Sequence, residues 1–249
     1  MKIRVSPNLE ELSREAAETF LHISEQCITA EGRFAVAVSG GSTPKTLYRL
    51  LGSTPYRQKI RWDKVHFFWA DERFVPHDHA ESNYRLLYEN LLRNIQMPPD
   101  NIHPVRTDVH SIACSAMTYE KEIRDFFGAS EDKPPAFDLI LLGIGEDGHT
   151  ASLFPGTGAL AEREHLAVFL NDKRHRFTRI TLTLKLINNA ANIVFLVSGK
   201  NKALVVKKII DERDVSLPAS LVRPERGELL FLLDEDASAL LTTWLRGKS

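Results

Sequence analysis

The chain is poor in cysteine, with two in 249 residues, Cys27 and Cys114. They are far apart, both fall in helix-like apolar stretches, and neither has zinc-ligand spacing. A disulfide-stapled fold and a structural zinc site are therefore excluded as organising principles, and a reducing, cytoplasmic compartment is expected. Net charge is also missing. The formal balance is -1 at pH 7 and the pI is near 6.8, which argues against a broad nucleic-acid footprint. A few local cations can still hold one phosphate. No apolar run approaches the roughly 20 residues of a membrane span. The opening MKIRVSPNLEEL has no apolar stretch of the kind a secretory signal needs. There is no internal repeat, low-complexity tract or obvious linker, and the Pro/Gly-rich stretch at 155–158 is short enough to be a loop. One domain over residues 1–249 is expected. Oligomeric state is not written in the sequence.

What is present is a core of ordinary size, 43 % hydrophobic, with 26 % charged residues. Strand-like and helix-like segments alternate nearly to the end. Residues 9–30 carry Leu9, Leu12, Ala16, Phe20, Ile23 and Cys27 at helical spacing. Residues 33–38 and 65–70 are β-type runs. Thr43 and Pro44 look like the cap and first turn of one helix, and Ser82 like the cap of another reaching about Ile95. Met97-Pro98-Pro99-Asp100 is a break, and 109–127 is a further helix. Residues 137–144 are continuously apolar, as in a strand covered on both faces. Strands at 166–170, 179–184, 192–197 and 228–233, a helix over 199–211 and a closing helix after Asp234 complete the pattern. The order predicts an α/β fold, a mostly parallel Rossmann-like sheet with helices on both faces.

In such sheets ligands bind beyond the carboxyl ends of the strands, and three polar loops follow strand-like runs here. Ser39-Gly40-Gly41-Ser42-Thr43-Pro44 is either a phosphate cradle or a plain strand-to-helix turn. Its glycines allow close backbone approach, and a helix amino terminus favours an anion. It matches neither a Walker loop nor the dinucleotide fingerprint. Asp71-Glu72-Arg73 clusters two carboxylates and a guanidinium, either to orient a substrate and hold its anionic groups or as a solvated charge cluster. Gly143 to Thr150 places His149 among glycines. There it either brackets the next helix or serves as general base on water, with Asp147 to orient it. Lys202 follows a fourth strand-like run, as phosphate-facing charge or as solvated surface. The pair in His77-Asp78-His79 does not make a metal site, because neighbouring histidines in an extended loop point apart and no second cluster completes one. No serine elbow or cysteine loop supports covalent catalysis.

AVSGGSTPKTLYRLL (37–51), WADERFVPHDHAESNYRLLYENLL (69–92) and LLGIGEDGHTASLFPG (141–156) resemble three signature blocks of 6-phosphogluconolactonases. RITLTLKLINNAANIVFLVSGKNKA (179–203) resembles a fourth, and PASLVRP (218–224) a fifth. The sister glucosamine-6-phosphate deaminases share the Gly-Gly and Asp-Gly-His loops. They carry an aromatic where Arg73 stands, and a GHIAFNEP-like run where this chain has GHTASLFPG. The resemblance implies 6-phospho-D-glucono-1,5-lactone as the small-molecule substrate, with no cofactor and no metal. It implies His149 as base with Asp147 as partner. It also implies Gly40, Gly41, Ser42, Thr43, Arg73, Arg179 and Lys202 as substrate and phosphate contacts, to which the charged loop adds Asp71. The chain departs from the family pattern just before Arg179, where His175-Arg176-Phe177-Thr178 replaces a proline-containing stretch. Rival readings are a deaminase or isomerase with the same pocket, and a non-catalytic sugar-phosphate sensor.

Overall fold

The computed structural model describes residues 1–130 and 134–242. In chain order the elements are β1 (Lys2–Ser6), α1 (Leu9–Glu31), β2 (Phe34–Val38), α2 (Ser42–Leu51), α3 (Tyr56–Lys59), β3 (Val65–Trp69), β4 (Asp71–Arg73), α4 (Asn83–Asn90), β5 (Ile102–His103) and α5 (Ile112–Phe127). There follow β6 (Leu139–Leu142), β7 (Ala167–Leu170), β8 (Arg179–Leu182), α6 (Leu184–Ile187), β9 (Asn192–Val197), α7 (Ala203–Ile210), β10 (Glu228–Asp234) and α8 (Glu235–Ser238).

Seven strands form one sheet in the order β1-β10-β9-β6-β2-β3-β5, and every pairing in it is parallel. The α/β class with a parallel sheet between helices is as expected. Every residue of β2 and β6 is buried, because helices cover both faces and a parallel sheet has no wet side. Helix α1 shows how the layers lock. Asn8 caps it, its side-chain oxygen accepting from the N–H groups of Glu10 and Glu11. Phe20 then meets Phe34 of β2 edge to face at 5.2 Å. Among the described residues no helix is long and apolar enough to cross a membrane.

A second, three-stranded sheet was not foreseen. Its order is β4-β8-β7, and both pairings are antiparallel. Strands β7 and β8 are joined by residues 171–178 without a helix. A parallel pair needs a crossover of a dozen or more residues, so these two can pair only as a hairpin. Asp71-Glu72-Arg73, read as a loop, is the third strand, with Arg73 directly opposite Arg179.

Other differences are local. Thr43 is not the cap of α2: the helix begins at Ser42, and the cap position is Gly41, whose φ of 121° turns the chain into the helix with no side-chain hydrogen bond. The expected 137–144 strand keeps only Leu139–Leu142 in the ladder. The Asp138 carboxylate instead accepts from the Ala35 N–H. Helix α4 has its cap at Ser82 as expected but stops at Asn90, followed by a 3-10 turn, Leu92–Asn94. Helix α7 starts at Ala203, after a 3-10 turn at Lys200–Lys202. The edge strand β1 is half polar and was not anticipated. Of the closing helix expected after Asp234, Glu235–Ser238 is seen, and residues 243–249 lie outside the described residues. Cys27 and Cys114 are free thiols on α1 and α5.

Candidate active site

Because β2, β3, β6 and β9 run parallel, their carboxyl ends share one edge, and the loops that follow them meet there. They enclose a cleft of about 220 Å³. Nine of the ten residues singled out from the sequence line it: Gly40, Gly41, Ser42, Thr43, Asp71, Arg73, His149, Arg179 and Lys202. The tenth, Asp147, stands behind His149.

The loop after β6 is knitted to itself. The Gly145 N–H donates to the His149 carbonyl at 2.8 Å, and the Gly148 N–H to the Gly145 carbonyl at 3.0 Å. The Thr150 hydroxyl donates to the Gly143 carbonyl at 2.9 Å. The next helical turn, the 3-10 turn Gly158–Ala161, lies well beyond the loop, so His149 brackets no helix. Its Nδ1 is 2.5 Å from Asp147 Oδ1, and Asp147 also accepts the His149 backbone N–H at 3.2 Å. The hydrogen bond from His149 holds the Asp147 carboxyl down to about 2, against the opposing effect of its partial burial. A carboxylate at Nδ1 keeps the ring proton there and leaves the Nε2 lone pair to accept another. The pair lies across Gly145: a Cβ there would be 2.0 Å from His149 Nδ1 and 2.6 Å from Asp147 Oδ1. Glycine is thus demanded by the side chains above it.

Positive charge gathers where β4 and β8 pair. The β4–β8 register sets Arg73 beside Arg179. Between them Asp71 is buried as counter-charge. Its Oδ2 accepts from the Ser152 hydroxyl at 2.6 Å and lies 3.7 Å from Arg179 Nη1. Burial lowers the Arg179 pKa, opposed by Asp71 and assisted by Arg73. The Nε atoms of both arginines are buried without a hydrogen-bond partner. Lys202, which also lines the cleft, sits at the amino end of α7. The neighbouring Asn201 amide donates to Glu146 at 2.6 Å, linking that turn to the His149 loop.

Asn83, which sequence reasoning missed, ties the parts together. Its side-chain oxygen accepts from Arg73 Nη1 at 3.0 Å, and its amide donates to the Asp71 carbonyl at 2.8 Å. A Cβ on Gly40 would lie 1.8 Å from the same oxygen. The Gly-Gly loop can therefore approach only as glycine. The sole sequence signal was Asn83's place after the Ser82 cap, which says nothing of what it faces.

Glu72 is a correction to the reading of Asp71-Glu72 as two carboxylates facing a ligand. Glu72 does not line the cleft. It lies buried under the amino end of α4, accepting from the N–H groups of Arg73, Asn83 and Tyr84 and from the Ser82 hydroxyl. Burial pushes it up to about 7, against the pull of those backbone donors. His77 and His79 go separate ways. His77 Nε2 bonds to the Val105 carbonyl and its ring stacks on Tyr84. His79 Nδ1 accepts from the Glu81 N–H. The 218–224 block puts no side chain into the cleft; its Ala219 N–H donates to the Gly148 carbonyl at 3.0 Å, bracing the His149 loop.

Comparison with known proteins identifies the family. Residues 7–231 match the family model described as glucosamine-6-phosphate isomerases/6-phosphogluconolactonase. A 6-phosphogluconolactonase of Nostoc sp. is 39 % identical over 242 residues, covering 96 % of this chain and 98 % of the relative. One from Synechocystis sp. is 43 % identical over 214 residues, covering 85 % and 86 %. The solved structure of 6-phosphogluconolactonase from Trypanosoma cruzi superposes with a TM-score of 0.85 at 35 % identity, over 97 % of both chains. The chain belongs to the glucosamine-6-phosphate isomerase/6-phosphogluconolactonase family.

Proposed function

We propose that the chain hydrolyses 6-phospho-D-glucono-1,5-lactone to 6-phosphogluconate, the lactone-opening step of the pentose phosphate pathway, with water activated by His149 and without a metal. The observation that carries this reading is the Asp147–His149 pair at 2.5 Å, opening onto a cleft that also holds Arg73, Arg179 and Lys202. The names of the relatives support the substrate. Arg73 in place of an aromatic, together with the GHTASLFPG run, favours the lactonase over the deaminase.

His149 Nε2 takes a proton from water as the water oxygen attacks C1. Such general-base assistance contributes about 10²–10⁴-fold. Asp147 holds the proton on Nδ1 and stabilises the imidazolium that forms. The charge that develops on the carbonyl oxygen falls to the guanidinium wall and loop N–H groups, one such donor being worth about 3 kcal/mol. As the C1–O5 bond breaks, the imidazolium returns its proton to O5. The new carboxylic acid ionises, so one proton is released per turnover. The phosphate, remote from C1, is held by the uncapped amino end of α2 and by Lys202, and its binding energy fixes the lactone's orientation.

The test is proton release from freshly made lactone against the spontaneous rate, with and without EDTA. Acceleration indifferent to EDTA is expected. A rate equal to the blank, with ammonia released from glucosamine 6-phosphate, overturns the reading in favour of the deaminase.

A further inference from the structure

The base has a ring behind it, and that ring has another. Phe154 lies 4.4 Å from His149, centroid to centroid, with planes at 39°. His175 stacks on Phe154 at 3.7 Å and 28°. The Arg179 guanidinium sits 5.4 Å from the Phe154 centroid. Neither Phe154 nor His175 lines the cleft. His175 belongs to the β7–β8 loop, in the stretch where this chain departs from the pattern of the family it resembles.

We propose that His175, acting through Phe154, is a positioning residue that sets the plane of the His149 ring. This rests on His149 being the base. The hydrogen bond at Nδ1 anchors one atom of the imidazole, while the torsion that turns the ring plane has a broad minimum. A contact on the ring's face must do the rest, and Phe154 supplies it. Phe154 is buried, and His175 of the β7–β8 loop stacks against it at 3.7 Å. That loop is itself drawn tight: the His175 N–H donates to the Asp172 carbonyl at 2.9 Å, and the Arg174 guanidinium grips the Asp172 carboxylate. Burial holds His175 below the usual histidine range, with Arg179 and Arg174 acting the same way against Asp172 and Asp147.

The experiment compares His175→Ala and His175→Phe with the wild type in the full chain. The alanine variant is expected to lower kcat about 10-fold with KM within about twofold, a fraction of the ~10²-fold that an ångström of misplacement costs. The phenylalanine variant, which rebuilds a flat stack, restores most of the rate. Wild-type kcat in the alanine variant overturns the proposal. So does a phenylalanine variant as slow as alanine, or a change confined to KM. A second readout needs no substrate and so separates this proposal from the lactonase reading. In His175→Ala the ring-current shift that Phe154 imposes on the His149 Cε1–H resonance should collapse. An unmoved resonance overturns the proposal even if the lactone proves not to be the substrate.

Discussion

Asp147 Oδ1 and His149 Nδ1 stand 2.5 Å apart across a glycine that has no room for a side chain. Two residues apart in sequence, they meet because the 143–150 loop folds back on itself. Asp147→Asn keeps the shape but removes the charge that holds the ring proton on Nδ1. We expect kcat to fall about 10²-fold or more with KM little changed, by analogy with triad aspartates, whose loss costs up to ~10⁴. Steady-state kinetics of that variant checks it, and wild-type turnover would remove Asp147 from the mechanism.

Gly145→Ala tests the same geometry by bulk. The added methyl would overlap His149 Nδ1 and Asp147 Oδ1, so the pair must part. Turnover should drop about 10²-fold, the scale of a misplaced catalytic group, while thermal stability changes little because the loop lies at the mouth of the cleft. Unchanged kinetics would mean that the pair has another resting place.

Asn83→Ala removes an acceptor from Arg73 and a donor from Asp71. A buried polar group left unmatched costs about 1–3 kcal/mol, and freed guanidinium motion should raise KM more than it lowers kcat. A melting curve and a kcat/KM determination on one sample separate the two effects. A variant with normal KM would show that Arg73 holds its place without Asn83.

His66 supplies a pH-dependent term far from the cleft. Burial, then the neighbouring His103, Arg33 and Lys64, hold it down to about 4. Between pH 6.5 and 4 the unfolded chain gains a proton that the folded chain refuses. Its contribution to stability is therefore complete above about 6.5 and is lost as the pH falls toward 4. In His66→Gln the slope of unfolding free energy against pH should flatten over that window, by up to one proton. An identical slope in denaturant titrations would assign the dependence to other groups.

Much of this protein was legible in its residues. Helical spacing over 9–30 and the apolar runs at 33–38, 65–70 and 192–197 specify layers, since each period commits one face or both to burial. Gly-rich and charged loops after those runs mark the ligand edge, because parallel strands bring their carboxyl ends together. His149 and Asp147 could be singled out because they lie within one short loop.

Local pattern could not say which strands leave the main sheet. That Arg179 stands beside Arg73 follows from antiparallel pairing between segments more than a hundred positions apart, and pairing partners are decided by packing of the whole chain. Asn83 under the Gly-Gly loop, Glu72 beneath α4 rather than in the cleft, and His175 behind Phe154 are likewise contacts between different elements, which local pattern does not encode. The sequence by itself determined most of the element types and the loop that carries His149 and Asp147. Only the tertiary structure decided which cations, counter-charge and aromatic wall surround it, because side chains distant in the chain become neighbours only when a shared core is buried.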